Sequence, residues 1–136
     1  KQSFAVTGSM DQNGDVQAIG GVNQKIEGFF ELCRMRGLDG SHGVIIPRRN
    51  AKNLVLRQDV VDAIRENKFS IYTINRMEEG LEILTGMPVG ELQEDGTYPE
   101  GTINHLITKR LTEIGEALEK KKEKEENNVI AKTKEE

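Results

Sequence analysis

The sequence predicts an α+β fold: a mixed sheet with helices packed against it, and one more helix appended near the C-terminal end. The first observation is a set of short runs with strand character, residues 3–7, 15–19, 43–46 and 70–74. The second is two longer stretches, residues 22–36 and 77–84, whose apolar residues recur at helical spacing. The third is Asn13-Gly14, a hairpin-type dipeptide, which indicates that residues 15–19 pair back antiparallel.

Each predicted element has a recognisable boundary. We expect a turn over residues 8–13, and two glycines, Gly20 and Gly21, directly before the first long helix. That helix should end near Gly37, which is a favourable residue after a helix end. Residues 43–46 form a continuous apolar run, typical of a strand buried on both faces. A short helix over residues 59–66 separates it from the next strand.

The C-terminal third has a different character. After residues 1–90, we predict a polar loop over residues 91–101, an amphipathic helix over residues 102–126 with Thr102 as its N-cap, and a disordered tail over residues 127–136. Apolar residues of the helix recur at intervals of four, four, three and four residues: Ile103, Ile107, Leu111, Ile114 and Leu118. We expect this stripe to dock on its own domain or on a neighbouring subunit.

Composition narrows the class of protein. The chain has 136 residues, enough for one domain with one core. Its 19 basic and 23 acidic residues give a net charge of −4, which argues against a general polyanion binder. One cysteine excludes an internal disulfide, and with two histidines no zinc-site pattern is present; Cys33 falls on an apolar helix face. No apolar run reaches membrane-span length and no signal peptide is visible, so we expect a cytoplasmic protein.

The candidate catalytic residue is Lys25, in the first turn of the predicted helix that follows Gly20-Gly21. On a wheel of about 100° per residue, Lys25 falls between Phe29 and Leu32, inside the apolar arc. Burial and the positive end of the helix dipole both disfavour an ammonium, which is how proteins prepare a lysine to act as a base. The alternative is a structural lysine whose stem lines the apolar face while its amine reaches solvent.

A set of ordered motifs resembles a known family. Thr7-Gly8-Ser9, Gly14-Asp15-Val16 and Ile19-Gly20-Gly21 followed by Lys25 resemble the proteolytic, C-terminal domain of the Lon family of ATP-dependent proteases. Residues 43–47 with Asn50 and Leu54 resemble the next block of that domain. The resemblance covers residues 4–86 and implies a Lon-type fold. The appended helix has no counterpart in the best-known members, which indicates a divergent branch.

The resemblance implies a serine–lysine endopeptidase in which Lys25 activates the serine and Thr7 is a possible orienting residue. In the family the serine lies well upstream of the Gly-Gly…Lys element, so we expect a fragment, truncated at its N-terminus and inactive alone. The chain's own serines, Ser3, Ser9, Ser41 and Ser70, do not lie in such a motif. The resemblance also implies unfolded or damaged proteins as substrates, a homo-oligomeric ring, and ATP with Mg²⁺ bound only by an ATPase domain outside this chain, because no phosphate-binding loop motif is present.

Two other functions stay open at this point. Lon-like domains also serve as non-proteolytic assembly or binding platforms, which would not need a buried lysine at a helix N-terminus. Arg48, Arg49 and Lys52 form a small basic cluster that suits phosphate or nucleic acid. Given the acidic balance, a solvated loop is favoured for this cluster, and nucleic acid is not expected as a partner.

Overall fold

The chain divides into two units, Lys1–Met87 and Pro88–Glu136. A computed structural model describes the backbone of residues 1–133 and the side chains of residues 1–122. The first unit holds five strands and four helices: β1 (Phe4–Val6), β2 (Ser9–Met10), β3 (Val16–Gln17), α1 (Val22–Arg36), β4 (His42–Pro47), α2 (Arg48–Ala51), α3 (Gln58–Arg65), β5 (Phe69–Ile74) and α4 (Met77–Thr85). The second unit contains α5 (Ile103–Thr133).

Strand β4 is the centre of a three-stranded parallel sheet with the order β1-β4-β5. Phe4 of β1 is paired with Gly43 of β4, and His42 of β4 with Phe69 of β5. From Gly43 to Pro47 every residue of β4 is buried, which confirms the prediction of a strand covered on both faces. Because the three strands are parallel, their carboxyl ends meet at one edge of the sheet.

The two faces of β4 belong to two different apolar clusters. Val44 and Ile46 point into a cluster with the buried faces of α1 and α3. Ile45 points the other way, into a smaller cluster with Val16 and Ile74. This division follows from the alternation of side chains along a strand, and it places the helical connections between the parallel strands on one face.

Parallel and antiparallel strand pairs both occur, and the predicted α+β class is confirmed. The hairpin around Asn13-Gly14 is present, but the partner of β3 is Ser9–Met10 and not the first strand. Part of the segment predicted as a turn is therefore strand β2. The first strand instead pairs with β4 in parallel, a non-local choice that the dipeptide signal cannot report.

The first long helix matches its prediction at both ends, from Val22 to Arg36 with Gly37 after it. The Gly37 backbone N–H donates to the carbonyl of Arg34, which uses one of the free carbonyls at the helix end. Cys33 is buried on the apolar face as predicted, and burial raises the pKa of its thiol.

Helix α5 begins at Ile103, and Thr102 caps it, because the Thr102 hydroxyl accepts the backbone N–H of His105. The helix continues to Thr133, beyond the predicted end at residue 126. Disorder of residues 127–136 was the prediction there, and residues 134–136 lie outside the described backbone. In the described part of the chain, no helix has the length and apolarity needed to cross a membrane.

Candidate active site

Helix α1 starts abruptly after the two glycines. Gly21 has a φ of 68°, in the left-handed region that favours glycine, and Val22 is the first helical residue. The Lys25 backbone N–H closes the first turn by donating to the carbonyl of Gly21 at 3.1 Å. No side chain caps this helix start and its first turn holds no acidic residue. Lys25 therefore lies beside free backbone N–H groups, the positive end of the helix.

The structure corrects the predicted burial of Lys25. The buried face of α1 consists of Val22, Ile26, Phe30 and Cys33, and Lys25 lies outside this arc and is exposed. The wheel had counted Phe29 and Leu32 as core residues, but Phe29 is half-buried and Leu32 is 39% exposed. Lys25 sits at the edge of the packed face, where solvent or a further segment of protein can reach its amine.

A buried asparagine fixes the chain just before α1. The Asn50 side chain is 6% exposed. Its Oδ1 accepts the Ile19 backbone N–H at 3.1 Å, and its Nδ2 donates to the Ile19 carbonyl at 2.9 Å. Sequence reasoning used Asn50 only as part of a resemblance. The signal that could have identified it is its place in a short helix directly after the buried strand β4.

Polar side chains on a second face of α1 hold the segment before α3. Asn23 accepts the backbone N–H of Val55 and Glu27 accepts that of Arg57, while Glu31 pairs with the Arg57 guanidinium at 3.2 Å. Hydrogen bonds from Arg34 and then Arg57 lower the pKa of the Glu31 carboxyl below its ordinary value. These acceptors lie four residues apart, along one stripe of the helix.

Thr7, the predicted orienting residue, follows the carboxyl end of β1. Its backbone N–H donates to the Ile45 carbonyl at 3.0 Å, so it continues the pairing with β4. Thr7 is half-buried and lines an apolar groove of about 210 Å³ together with Met10, Val16 and Leu81. Lys25 does not line this groove.

The structure thus brings Thr7 and the start of α1, where Lys25 lies, to the same edge of the sheet. The side chains of Thr7 and Lys25 are not hydrogen-bonded to each other. Within the described side chains, neither Thr7 nor Lys25 forms a side-chain hydrogen bond or ion pair. Nor does a serine hydroxyl in that part of the chain bond to Lys25; Ser41 donates to Asp39. The described residues likewise hold no cluster of three histidine, cysteine or acidic side chains suited to a metal ion.

The basic cluster lies on α2, where Arg48 and Arg49 are exposed, with Lys52 exposed just after it. A different arginine has a structural contact: Arg76 donates to Asp15 at 2.9 Å and to the Asn13 carbonyl, and thereby holds the tip of the β2–β3 hairpin against the start of α4. This hairpin forms one wall of the groove at Thr7.

Comparison with known proteins identifies the family. Residues 1–86 match the model of the Lon protease (S16) C-terminal proteolytic domain. A putative Lon protease homolog of Haemophilus influenzae is 41% identical over 110 residues, 81% of this chain and 18% of that protein. A putative Lon protease homolog of Escherichia coli is 45% identical over 86 residues, 63% of this chain and 15% of that protein.

An archaeal Lon protease of Archaeoglobus fulgidus is 37% identical over 81 residues, 60% of this chain and 11% of that protein. The chain thus spans less than a fifth of the length of each of these relatives. The matched region contains β1, the glycine turn, α1 with Lys25, and the strand and short helix that carry Asn50. The chain belongs to the family of Lon protease C-terminal proteolytic domains.

Proposed function

We propose that this chain is the lysine-bearing part of a Lon-type serine–lysine endopeptidase, and that Lys25 is the general base. The observation that carries the proposal is the position of Lys25 within the family match. It is an exposed amine without a side-chain partner in the described structure, in the first turn of a helix that begins at the carboxyl edge of the sheet. An unpaired lysine is available to a serine presented by protein outside these residues.

The chemistry requires a neutral Lys25 amine within hydrogen-bond distance of a serine hydroxyl. The amine takes the hydroxyl proton as the oxygen attacks the peptide carbonyl, and backbone N–H groups stabilise the resulting oxyanion. Thr7 is the candidate for orienting the amine once the site is complete.

The serine would come from protein outside these 136 residues, so we expect the chain alone not to cleave protein. In the complete protein we propose unfolded or damaged proteins as substrates, a homo-oligomeric ring as the assembly, and the cytoplasm as the compartment. ATP and Mg²⁺ would be bound by an ATPase domain elsewhere in that protein. The match to the Lon protease family supports protein as the class of substrate.

The test is Lys25→Arg in the full-length protein, assayed by cleavage of an unfolded, fluorescently labelled protein. Arginine keeps the charge and much of the length but does not release its proton. We expect cleavage to fall by at least about 10³-fold, the scale of loss for a catalytic base. Thermal melting should stay unchanged, because Lys25 is exposed.

The matched control is Lys52→Arg, the same change at an exposed lysine just after α2, which should leave cleavage unaltered. Wild-type cleavage by Lys25→Arg would end the assignment of the base. A full-length protein that cleaves no unfolded substrate even before substitution would instead favour the assembly-platform function.

A further inference from the structure

We propose that Asn50 is a positioning residue for Lys25, acting through the backbone of Ile19. The inference rests on the proposed role of Lys25 as the base. It starts from the two hydrogen bonds that the Asn50 amide makes to the N–H and the carbonyl of one residue. Two bonds fix both the place and the rotation of the Ile19 backbone, as a partner strand would, whereas a single bond would fix only its distance.

The anchor behind Asn50 is rigid. Asn50 lies on α2, directly after β4, whose last residue, Pro47, is fully buried. Asn50 is itself one of only two buried polar or charged residues in the described part of the chain. A polar side chain is rarely buried this deeply unless its hydrogen bonds are satisfied, and here both of its groups bond to Ile19. Asn50 therefore ties Ile19 to the carboxyl edge of the sheet.

What Asn50 stabilises is the path into α1. Only Gly20 and Gly21 separate Ile19 from the helix, and glycine restricts the backbone least of all residues. Gly21 offers no side chain to cap the helix start. The first turn of α1 is thus not held by an N-cap side chain. The hydrogen bonds from Asn50, which lies on α2, hold the backbone just before the turn. The Lys25 backbone N–H closes that first turn on the Gly21 carbonyl, so the position of Lys25 depends on the position of the Ile19–Gly21 backbone.

The fold does not depend on this tie alone. The apolar face of α1 packs in the main cluster through Ile26 and Phe30, which are 0% and 1% exposed. Loss of the Asn50 side chain should leave α1 in place and make the backbone of residues 19–21 more mobile. We therefore expect kcat to fall more than KM rises.

The experiment compares Asn50→Ala and Asn50→Asp with Asn53→Asp in the full-length protein, using an unfolded, fluorescently labelled protein as substrate. Asn50→Asp replaces a donor to the Ile19 carbonyl with a second oxygen, and Asn53→Asp makes the same chemical change at an exposed site three residues away. We expect kcat to fall about 10²-fold in both Asn50 variants, with KM changed less than about threefold, because a misplaced catalytic group costs rate and not binding. Asn53→Asp should behave as wild type.

A second variant separates positioning from general damage. A Cβ at Gly20 would meet nothing within 4 Å, and Gly20 does not have a positive φ, so Gly20→Ala is sterically allowed. Alanine restricts the backbone that Asn50 would otherwise hold. Adding Gly20→Ala to Asn50→Ala should therefore recover kcat severalfold at a temperature at which both variants are fully folded, where a gain in global stability alone would leave kcat unchanged.

Hydrogen exchange gives a readout without catalysis. The Ile19 amide should exchange at least about tenfold faster in Asn50→Ala than in wild type, while amides within β4 keep their protection. Unchanged Ile19 exchange, or wild-type kcat in Asn50→Ala beside an inactive Lys25→Arg, would overturn the positioning role and leave the base intact. Full cleavage by Lys25→Arg would instead overturn the proposed function, and with it this inference.

Discussion

Helices α1 and α5 carry apolar residues at the same spacing and bury them to opposite degrees. In α1 the residues Val22, Ile26, Phe30 and Cys33, at intervals of four, four and three, are at most 6% exposed. In α5 the stripe begins at Ile103 with the same intervals, yet Ile107 is 47% and Leu111 is 63% exposed. Periodicity therefore identifies the face of a helix that can be buried, and says nothing about what covers it.

The difference has a topological cause. Helix α1 precedes β4 and follows β1, two strands that pair in parallel, so the connection between them must pack its apolar face on the sheet. Helix α5 follows a loop and, within the described residues, does not connect two paired strands, so no such connection determines what its stripe packs against. Docking of the stripe on protein, which the spacing predicts, would bury these side chains, and it is the alternative outcome of the tests on α5 below.

Polar contacts repeat the contrast. Glu31 of α1 pairs with Arg57, twenty-six positions away in the sequence, whereas Arg110 of α5 pairs with Glu113 within the same helix. The first pair connects two elements of the fold. The second depends only on the helix that carries it.

The largest expected effect is the difference in unfolding free energy between two truncations at equivalent places in the two stripes, one of a buried and one of an exposed apolar residue. Phe30→Ala should lower the free energy of unfolding by about 3–5 kcal/mol, because it removes a large buried side chain and leaves a cavity. Phe30 also loses its edge-to-face contact with Phe69, at 5.3 Å between ring centroids. Leu111→Ala should change the unfolding free energy by less than about 0.5 kcal/mol.

Urea titration of both variants and of the wild type gives the loss of unfolding free energy for each substitution. Equal losses in the two would mean that α5 is covered as well as α1, and the contrast between the helices would disappear.

The second effect is the acid dependence of the Arg57 contacts. In the folded chain, hydrogen bonds from Arg34 and then Arg57 lower the pKa of Glu31, and the hydrogen bond from Arg57 lowers that of Asp59. A carboxyl with a lowered pKa stabilises the fold above its ordinary pKa, here 4.5 for Glu31 and 3.8 for Asp59, and this contribution is lost as the pH falls through and below those values. Arg57→Gln should therefore melt at a lower temperature than wild type at pH 7, and the gap should narrow below pH 4.5.

Arg110→Gln is the matched control in α5, because its ion pair is exposed and local. Its melting temperature should follow the wild-type pH profile without a change in the gap. A gap for Arg57→Gln that stays constant down to pH 3 would show that the contacts of Arg57 are not the source of the acid dependence.

Local sequence signals predicted most elements but only part of the site. Gly37 and the helical spacing gave the end and the buried face of α1, and the apolar run gave β4, since each signal depends on neighbouring residues. The partner of β1 and the tie from Asn50 to Ile19 depend on residues more than thirty positions apart, which no local pattern encodes. The exposure of Lys25 was mispredicted because a wheel ranks residues by type, while the depth of packing against the sheet decides which of them are covered.

The smallest expected effect concerns the stripe of α5. Leu111→Gln together with Leu118→Gln removes two apolar side chains that are 63% and 56% exposed, and glutamine has nearly the helix propensity of leucine. The free energy of unfolding of the chain should therefore change by less than about 0.5 kcal/mol per site. Glu116→Gln, on the opposite face of the helix, is the control for altered surface chemistry.

Thermal melting at several protein concentrations, with the mass measured by sedimentation, tests whether another chain covers the stripe. A melting temperature that rises with concentration in wild type and not in the double variant would mean that the stripe is covered by another protein chain. Both stripes would then be buried, the stripe of α1 by its own chain and the stripe of α5 by another chain, and the contrast between the helices would be one of partner.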